Sequence, residues 1–186
     1  MATLTIVRLG HPALRTPAQG VPKQELGTPQ LDRLVDDLVE SMRAAGSVGL
    51  SAPQVGIGQQ VFVYEIPDDP EVPSEAVELK VVINPMLVAQ PGRLVSDWEG
   101  CTSLPDLRGL VPRHPSVRIR GLDRAGEAID YVASGLEARV IQHEYDHLNG
   151  MLFIDRMRDL RSLAYFAEWQ QYMTGEGDQV EYSAVV

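Results

Sequence analysis

Toward the C-terminal end of the chain runs Gln142-His143-Glu144-Tyr145-Asp146-His147. A helix sets residues four apart on one face, a turn from each other. On a helix, His143 and His147 can hold one metal ion between them, and Glu144 can reach a water at that ion. This is the H-E-x-x-H pattern of metal-assisted hydrolysis. With four histidines in 186 residues, a chance pair at this spacing beside a glutamate is the weaker reading. Ser134 with Glu137 three residues on predicts a capping box, and Asn149-Gly150 predicts the C-terminal stop. The pattern demands a third ligand from elsewhere in the chain.

The remaining elements surround that helix. Residues 3–15 alternate weakly and predict a short strand or extended arm, and residues 16–29, with three prolines and two glycines, a surface loop. Thr28 as N-cap and Pro29 at the first position open a helix through Ala45, with Leu31, Leu34, Val35, Leu38, Val39 and Met42 on one stripe. Its apolar face is a packing surface and carries no chemistry. Gly46, Gly49, Gly56 and Gly58 flank Leu50-Ser51-Ala52-Pro53-Gln54, marking backbone approached closely by something else.

Strands are expected over 60–66, 79–89 with a break at Asn84-Pro85, and 93–98, with an exposed acidic loop over 67–74. Two further strands, 116–122 and 127–132, flank a hairpin turn at Asp123-Arg124-Ala125-Gly126. Another helix is expected within 155–173, then a loose tail or edge strand over 174–186. The fold class is α+β: mostly antiparallel β-sheets around a central metal-binding helix, with an N-terminal and a C-terminal helix, in one domain spanning 1–186.

Sixteen basic against twenty-six acidic residues give a net charge of −10, which argues against broad nucleic-acid binding. No apolar run reaches membrane-spanning length and no signal-peptide pattern opens the chain, so the expectation is a cytoplasmic protein with no membrane partner. The single cysteine cannot form an internal disulfide.

Candidates for the third ligand are Cys101, His11, His114 and the carboxylates. His11 and His114 each precede a proline, where shaping a turn is the commoner role. Cys101 sits in a Gly- and Pro-flanked turn at a strand end and is a soft ligand whose thiolate a divalent cation stabilises.

Three motifs in order, Gly49-Leu50-Ser51-Ala52-Pro53-Gln54, Glu99-Gly100-Cys101-Thr102-Ser103 and Gln142 to His147, together with Ile83-Asn84-Pro85 and Leu110-Val111-Pro112-Arg113, resemble the peptide deformylases up to about Arg158. The resemblance implies an enzyme that removes the formyl group from the N-terminal formylmethionine of new polypeptides. It implies Cys101, His143 and His147 as metal ligands, Glu144 as general base and then acid, and Gln54 with the Thr102 backbone N–H as donors to the developing oxyanion. The backbone at Val48 and Gly49 would take the peptide as an added strand. The methionine would enter a pocket of Leu136, Val140, Val48 and Trp98. One divalent metal is implied, Fe2+ in the cell, with Ni2+, Co2+ or Zn2+ able to substitute, although the donor set alone suits zinc. The partners implied are N-formylmethionyl peptides, nascent chains and the ribosome, for a monomer or homodimer.

The chain departs from the family pattern at Ser47, where a glycine is usual, at Thr102, where leucine is usual, and at Arg139, where some members have an apolar pocket residue. Arg108 and Arg113 read as structural ion-pair partners, and Asp146 as either a support for the ligands or a loop cap. Two rival readings are a zinc metallopeptidase with a His or Glu third ligand, and a catalytically inactive homologue that binds nascent chains.

Overall fold

A computed structural model describes residues 2–68 and 76–174. The expected 67–74 loop and 174–186 tail therefore fall almost wholly outside the described residues. The architecture is α+β, as expected. A five-stranded antiparallel sheet is ordered β1 (Gly49–Ser51), β2 (Val61–Ile66), β3 (Val77–Ala89), β6 (Ser116–Leu122) and β7 (Ala128–Ser134). A second, three-stranded sheet runs β4 (Val95–Cys101), β5 (Leu104–Arg113) and β8 (Ala164–Tyr165).

Strand β2 shows why the first sheet is a middle layer. Side chains alternate across a strand, and both sets are buried here. Val61 and Val63 join the cluster under helix α1 (Pro29–Ala44), with Leu31, Val35, Leu38 and Met42. Phe62, Tyr64 and Ile66 face helix α2 (Gly135–Leu148), with Val140, Ile141 and Leu148. Helix α1 starts as expected: Pro29 occupies the first turn, and the Thr28 hydroxyl accepts from the Leu31 N–H at 3.4 Å. Burying such a stripe stabilises by about 1.5–3 kcal/mol for each large side chain.

The break in β3 is a bulge, with the register against β6 shifting between Ile83 and Met86 and Asn84 at φ 51°. The Asn84 carboxamide exchanges two hydrogen bonds with the Val21 backbone, 2.7 and 2.9 Å. The 16–29 loop is thereby pinned down, and its Ala18 and Val21 are core residues rather than surface ones.

Three expectations need correction. The capping box at Ser134 does not form: Ser134 makes no side-chain cap bond, and Glu137 instead accepts from the buried Tyr64 hydroxyl at 2.8 Å. A buried phenol needs a partner, and this tertiary demand overrides the local motif. The 155–173 segment is not one helix. It breaks into α3 (Phe153–Arg156), a turn at Leu160–Ser162, β8 and α4 (Phe166–Tyr172). Asp159 caps that turn through the Arg161 N–H, and β8 pairs with β5 at Leu107 and Arg108. Finally, β5 was unexpected, because Pro105, Gly109 and Pro112 interrupt its pattern; Pro105 and Pro112 lie outside its pairing with β8.

Candidate metal and catalytic site

Strands β4 and β5 form a hairpin that turns at Thr102-Ser103, with Cys101 opposite Leu104. That turn carries Cys101 to α2, where His143 and His147 project from one face. The ligand atoms of these three residues lie within 4.8 Å of one another, and all three residues are buried. Cys101 Sγ is 3.4 Å from His147 Nε2, which is 3.2 Å from His143 Nε2. His11 and His114 stand elsewhere. The His11 ring caps the turn at Pro12–Arg15 by accepting from the Ala13 N–H, and the His114 backbone is held by the Gln142 side chain.

A divalent cation fits this cluster. His143 Nδ1 lies 3.0 Å from the Glu99 carboxylate, so Nδ1 carries the proton and Nε2 presents its lone pair to the cluster. Burial holds the His147 imidazole well below its ordinary pKa, so it is neutral and has a lone pair. Without a cation, burial pushes the Cys101 thiol up to about 12, and a cation reverses that by favouring the thiolate. Three electron-pair donors converging in a buried space form a group that could hold a metal ion.

Two buried glutamates flank the cluster. Glu99, on β4, accepts both Arg113 Nε and Nη2 at 2.9 Å, and Arg139 Nη1 at 2.7 Å. Arg113 Nη1 donates onward to Asp146 at 2.5 Å, and Arg156 closes on Asp146 at 2.7 and 3.0 Å. Asp146 thus supports the ligands through Arg113 and Glu99. Arg139 points at Glu99 and at the Val95 and Val111 carbonyls. Glu99 was visible in the sequence only as part of a motif; an acid two residues before a candidate ligand cysteine is the signal that could have named it.

Glu144 is the opposite case. It is fully buried, and neither carboxylate oxygen has a hydrogen-bond partner among the described residues. Burial pushes its pKa up from 4.5 to about 8. Space for it exists because β1 alternates: Leu50 points to the α1 cluster, whereas Gly49 backs onto Glu144. A Cβ at Gly49 would stand 2.6 Å from Glu144 Oε1, so only glycine leaves this carboxylate room.

Gln54 sits in the turn at Ala52–Val55 that follows β1. Its Oε1 accepts from Ser51 N–H and Oγ, both at 2.8 Å, which fixes Nε2 toward Cys101 Sγ at 3.6 Å and Thr102 Oγ1 at 3.2 Å. Ser51 was not singled out from the sequence, since a serine in a small-residue loop carries no distinctive signal. The N-terminal arm is extended but is not a strand. It straps both site loops, Val7 N–H to the Gln54 carbonyl at 2.8 Å and Leu9 N–H to the Ser103 carbonyl at 2.9 Å.

Val48, Val140 and Leu136, expected in one pocket, do belong to one apolar cluster, while Trp98 stands edge-on to Trp169. Arg113 is ion-paired as expected. Arg108 is not, among the described residues: its guanidinium lies 4.7 Å over the Phe166 ring and packs on Gly100.

Comparison with known proteins agrees with this site. The profile of the polypeptide deformylase family matches residues 3–162. Peptide deformylase 1 of Nitrosomonas europaea is 43% identical over 161 residues, 86% of this chain and 90% of the relative. Peptide deformylase 2 of Pseudomonas putida is 40% identical over the same shares. A crystal structure of a class I type b peptide deformylase from Acinetobacter baumannii with Met-Ala-Ser bound superposes with a TM-score of 0.79 at 34% identity, covering 84% of this chain and 99% of that one. A match over residues 3–162 that contains the whole Cys101–His143–His147 cluster makes this chain a member of the polypeptide deformylase family.

Proposed function

We propose that the chain is a single-domain, metal-dependent hydrolase that removes the formyl group from the N-terminal formylmethionine of newly made polypeptides and releases formate. The observation that carries this reading is Glu144, a buried carboxylate without a hydrogen-bond partner among the described residues, set next in sequence to one of three convergent metal donors. Cys101, His143 and His147 would hold one divalent cation, which supplies Lewis acidity toward a water and a carbonyl oxygen when bound.

The residues divide the remaining work. Glu144 takes the proton from the attacking water and returns it to the leaving amine; a pKa raised toward neutrality suits a group that must do both. The oxygen of the attacked formyl group gains negative charge, and Gln54 Nε2 with the Thr102 N–H donates to it. Gly49 lies on β1, an edge strand of its sheet, so its backbone can pair with an extended peptide and leave most of the peptide's sequence unread. Val48, Val140 and Leu136 supply an apolar wall for the methionine side chain.

The metal in the cell is read as Fe2+, with Ni2+, Co2+ or Zn2+ able to substitute. The support is the thiolate and imidazole donor set and the family resemblance. Activity of the iron form should decay in air while that of the nickel form persists; an aerobic zinc form of equal activity counts against iron. Nascent chains, and the ribosome as their source, are the partners read for a cytoplasmic monomer or homodimer, and no described helix is long and apolar enough to cross a membrane. Formate release from a formyl-Met-Ala peptide, against its acetyl counterpart and with metal content measured on the same sample, tests the activity. A metal-replete protein that releases no formate ends it.

A further inference from the structure

The carboxamide of Gln54 has no free donor. Its Oε1 is held by two donors from Ser51, so the group cannot turn over without losing both bonds. Of the two Nε2 protons, one is aimed at Thr102 Oγ1, 3.2 Å away, and the other at Cys101 Sγ, 3.6 Å away. A group meant to donate to a reacting oxygen is thus already engaged on both sides. The Cys101 contact persists when the sulfur is a thiolate, because a thiolate still accepts. The Thr102 contact is the one that can yield. Thr102 is partly exposed in a hairpin turn, its hydroxyl makes no other hydrogen bond among the described residues, and a threonine side chain has three staggered χ1 positions.

We propose that the Thr102 hydroxyl is a positioning group that keeps the Gln54 N–H parked in the resting site and must rotate away for that N–H to reach the substrate oxygen. This rests on the proposed oxyanion role of Gln54. The hydroxyl is therefore a brake rather than a helper. Releasing one neutral hydrogen bond is a small barrier, worth roughly two- to tenfold in rate. Because the bond breaks only as charge develops on the substrate oxygen, the effect belongs in kcat and leaves KM in place.

Thr102→Val has nearly the same shape, keeps the backbone N–H and lacks the hydroxyl. On formyl-Met-Ala peptide it should raise kcat roughly two- to tenfold with KM within about twofold. Thr102→Ser, which keeps the hydroxyl, should show less of this gain than Thr102→Val. The gain should vanish when Gln54 is also changed to Ala. A fall in kcat for Thr102→Val at unchanged metal content overturns the proposal, because the hydroxyl would then be donating to the oxygen itself, and an unchanged kcat overturns it as well. A second readout needs no turnover and so separates this proposal from the activity assignment. In the zinc-loaded protein, one Gln54 side-chain NH2 proton signal should shift in Thr102→Val, while the Ser51 amide signal, reporting on the Oε1 anchor, stays in place. If no Gln54 proton moves, Thr102 does not hold it.

Discussion

Glu99 and Glu144 are the same side chain at the same burial, both with none of their surface exposed. Glu99 is enclosed by Arg113, Arg139 and the His143 ring, and those partners hold its carboxyl well below the usual range. Glu144 meets the glycine face of β1 and has no hydrogen-bond donor among the described residues, and burial, with a smaller push from the Glu99 charge, drives it up to about 8. A buried charge is tolerated when it is paired and is driven to neutralise when it is not. The pairing makes Glu99 a fixed part that aims a ligand; its absence makes Glu144 able to exchange a proton.

The largest effect should come from Glu144→Gln. It removes the proton carrier, so kcat should fall by about 10²–10⁴. Metal content should hold and thermal stability should not fall, since this carboxyl accepts no hydrogen bond from the described residues. A variant that loses its metal or unfolds would make Glu144 structural and end the contrast. Glu99→Ala should do the reverse. Taking one member from a buried ion network costs about 3–5 kcal/mol of stability, because Arg113 and Arg139 are left uncompensated. A denaturant titration of the metal-free protein reads this directly, and metal affinity should drop with the loss of the His143 support.

Gln54→Ala comes next, with a loss of about 10²-fold in kcat for one oxyanion donor and little change in stability. The two glutamates should also oppose each other in pH dependence. In the metal-free protein Glu144 has a raised pKa, so its contribution is fully present below the ordinary value of 4.5 and is lost as pH rises toward about 8. Glu99 has a lowered pKa, so its contribution is present above 4.5 and is lost as pH falls below that value. Glu144→Gln should flatten the alkaline limb of stability against pH and leave the acid limb in place. The smallest effect is expected at Arg156, whose side chain is 44% exposed where it meets Asp146. Arg156→Ala should cost about 1 kcal/mol or less, because solvent screens this half-exposed pair and Arg113 keeps its bond to Asp146 Oδ2.

Short-range signals explain which parts of the fold were legible. The Thr28-Pro29 start of α1, its stripe from Leu31 to Met42 and the hairpin between β6 and β7 depend on neighbours in sequence, and they stand where expected. Strand β5 did not announce itself, because its prolines are tolerated only through the way β4 and β8 pair with it. The Ser134 box failed for a related reason: Glu137 found a stronger claim in Tyr64, a residue 73 positions away.

For the site, spacing along one helix determined that His143 and His147 share a face with Glu144 beside the first of them, and the lone cysteine within a recognisable motif supplied Cys101. Those are one-dimensional facts, since periodicity and residue chemistry are written in the chain. Which glutamate is paired and which is bare is not. It depends on Arg113 and Arg139 reaching Glu99 from another strand and from the helix, and on β1 laying Gly49 against Glu144. Nor does the sequence tell that the Gln54 donor is already engaged by Thr102. Desolvation and hydrogen bonding act through space over a few ångströms, so only the packed chain could decide how each of these groups is charged and what it is free to do.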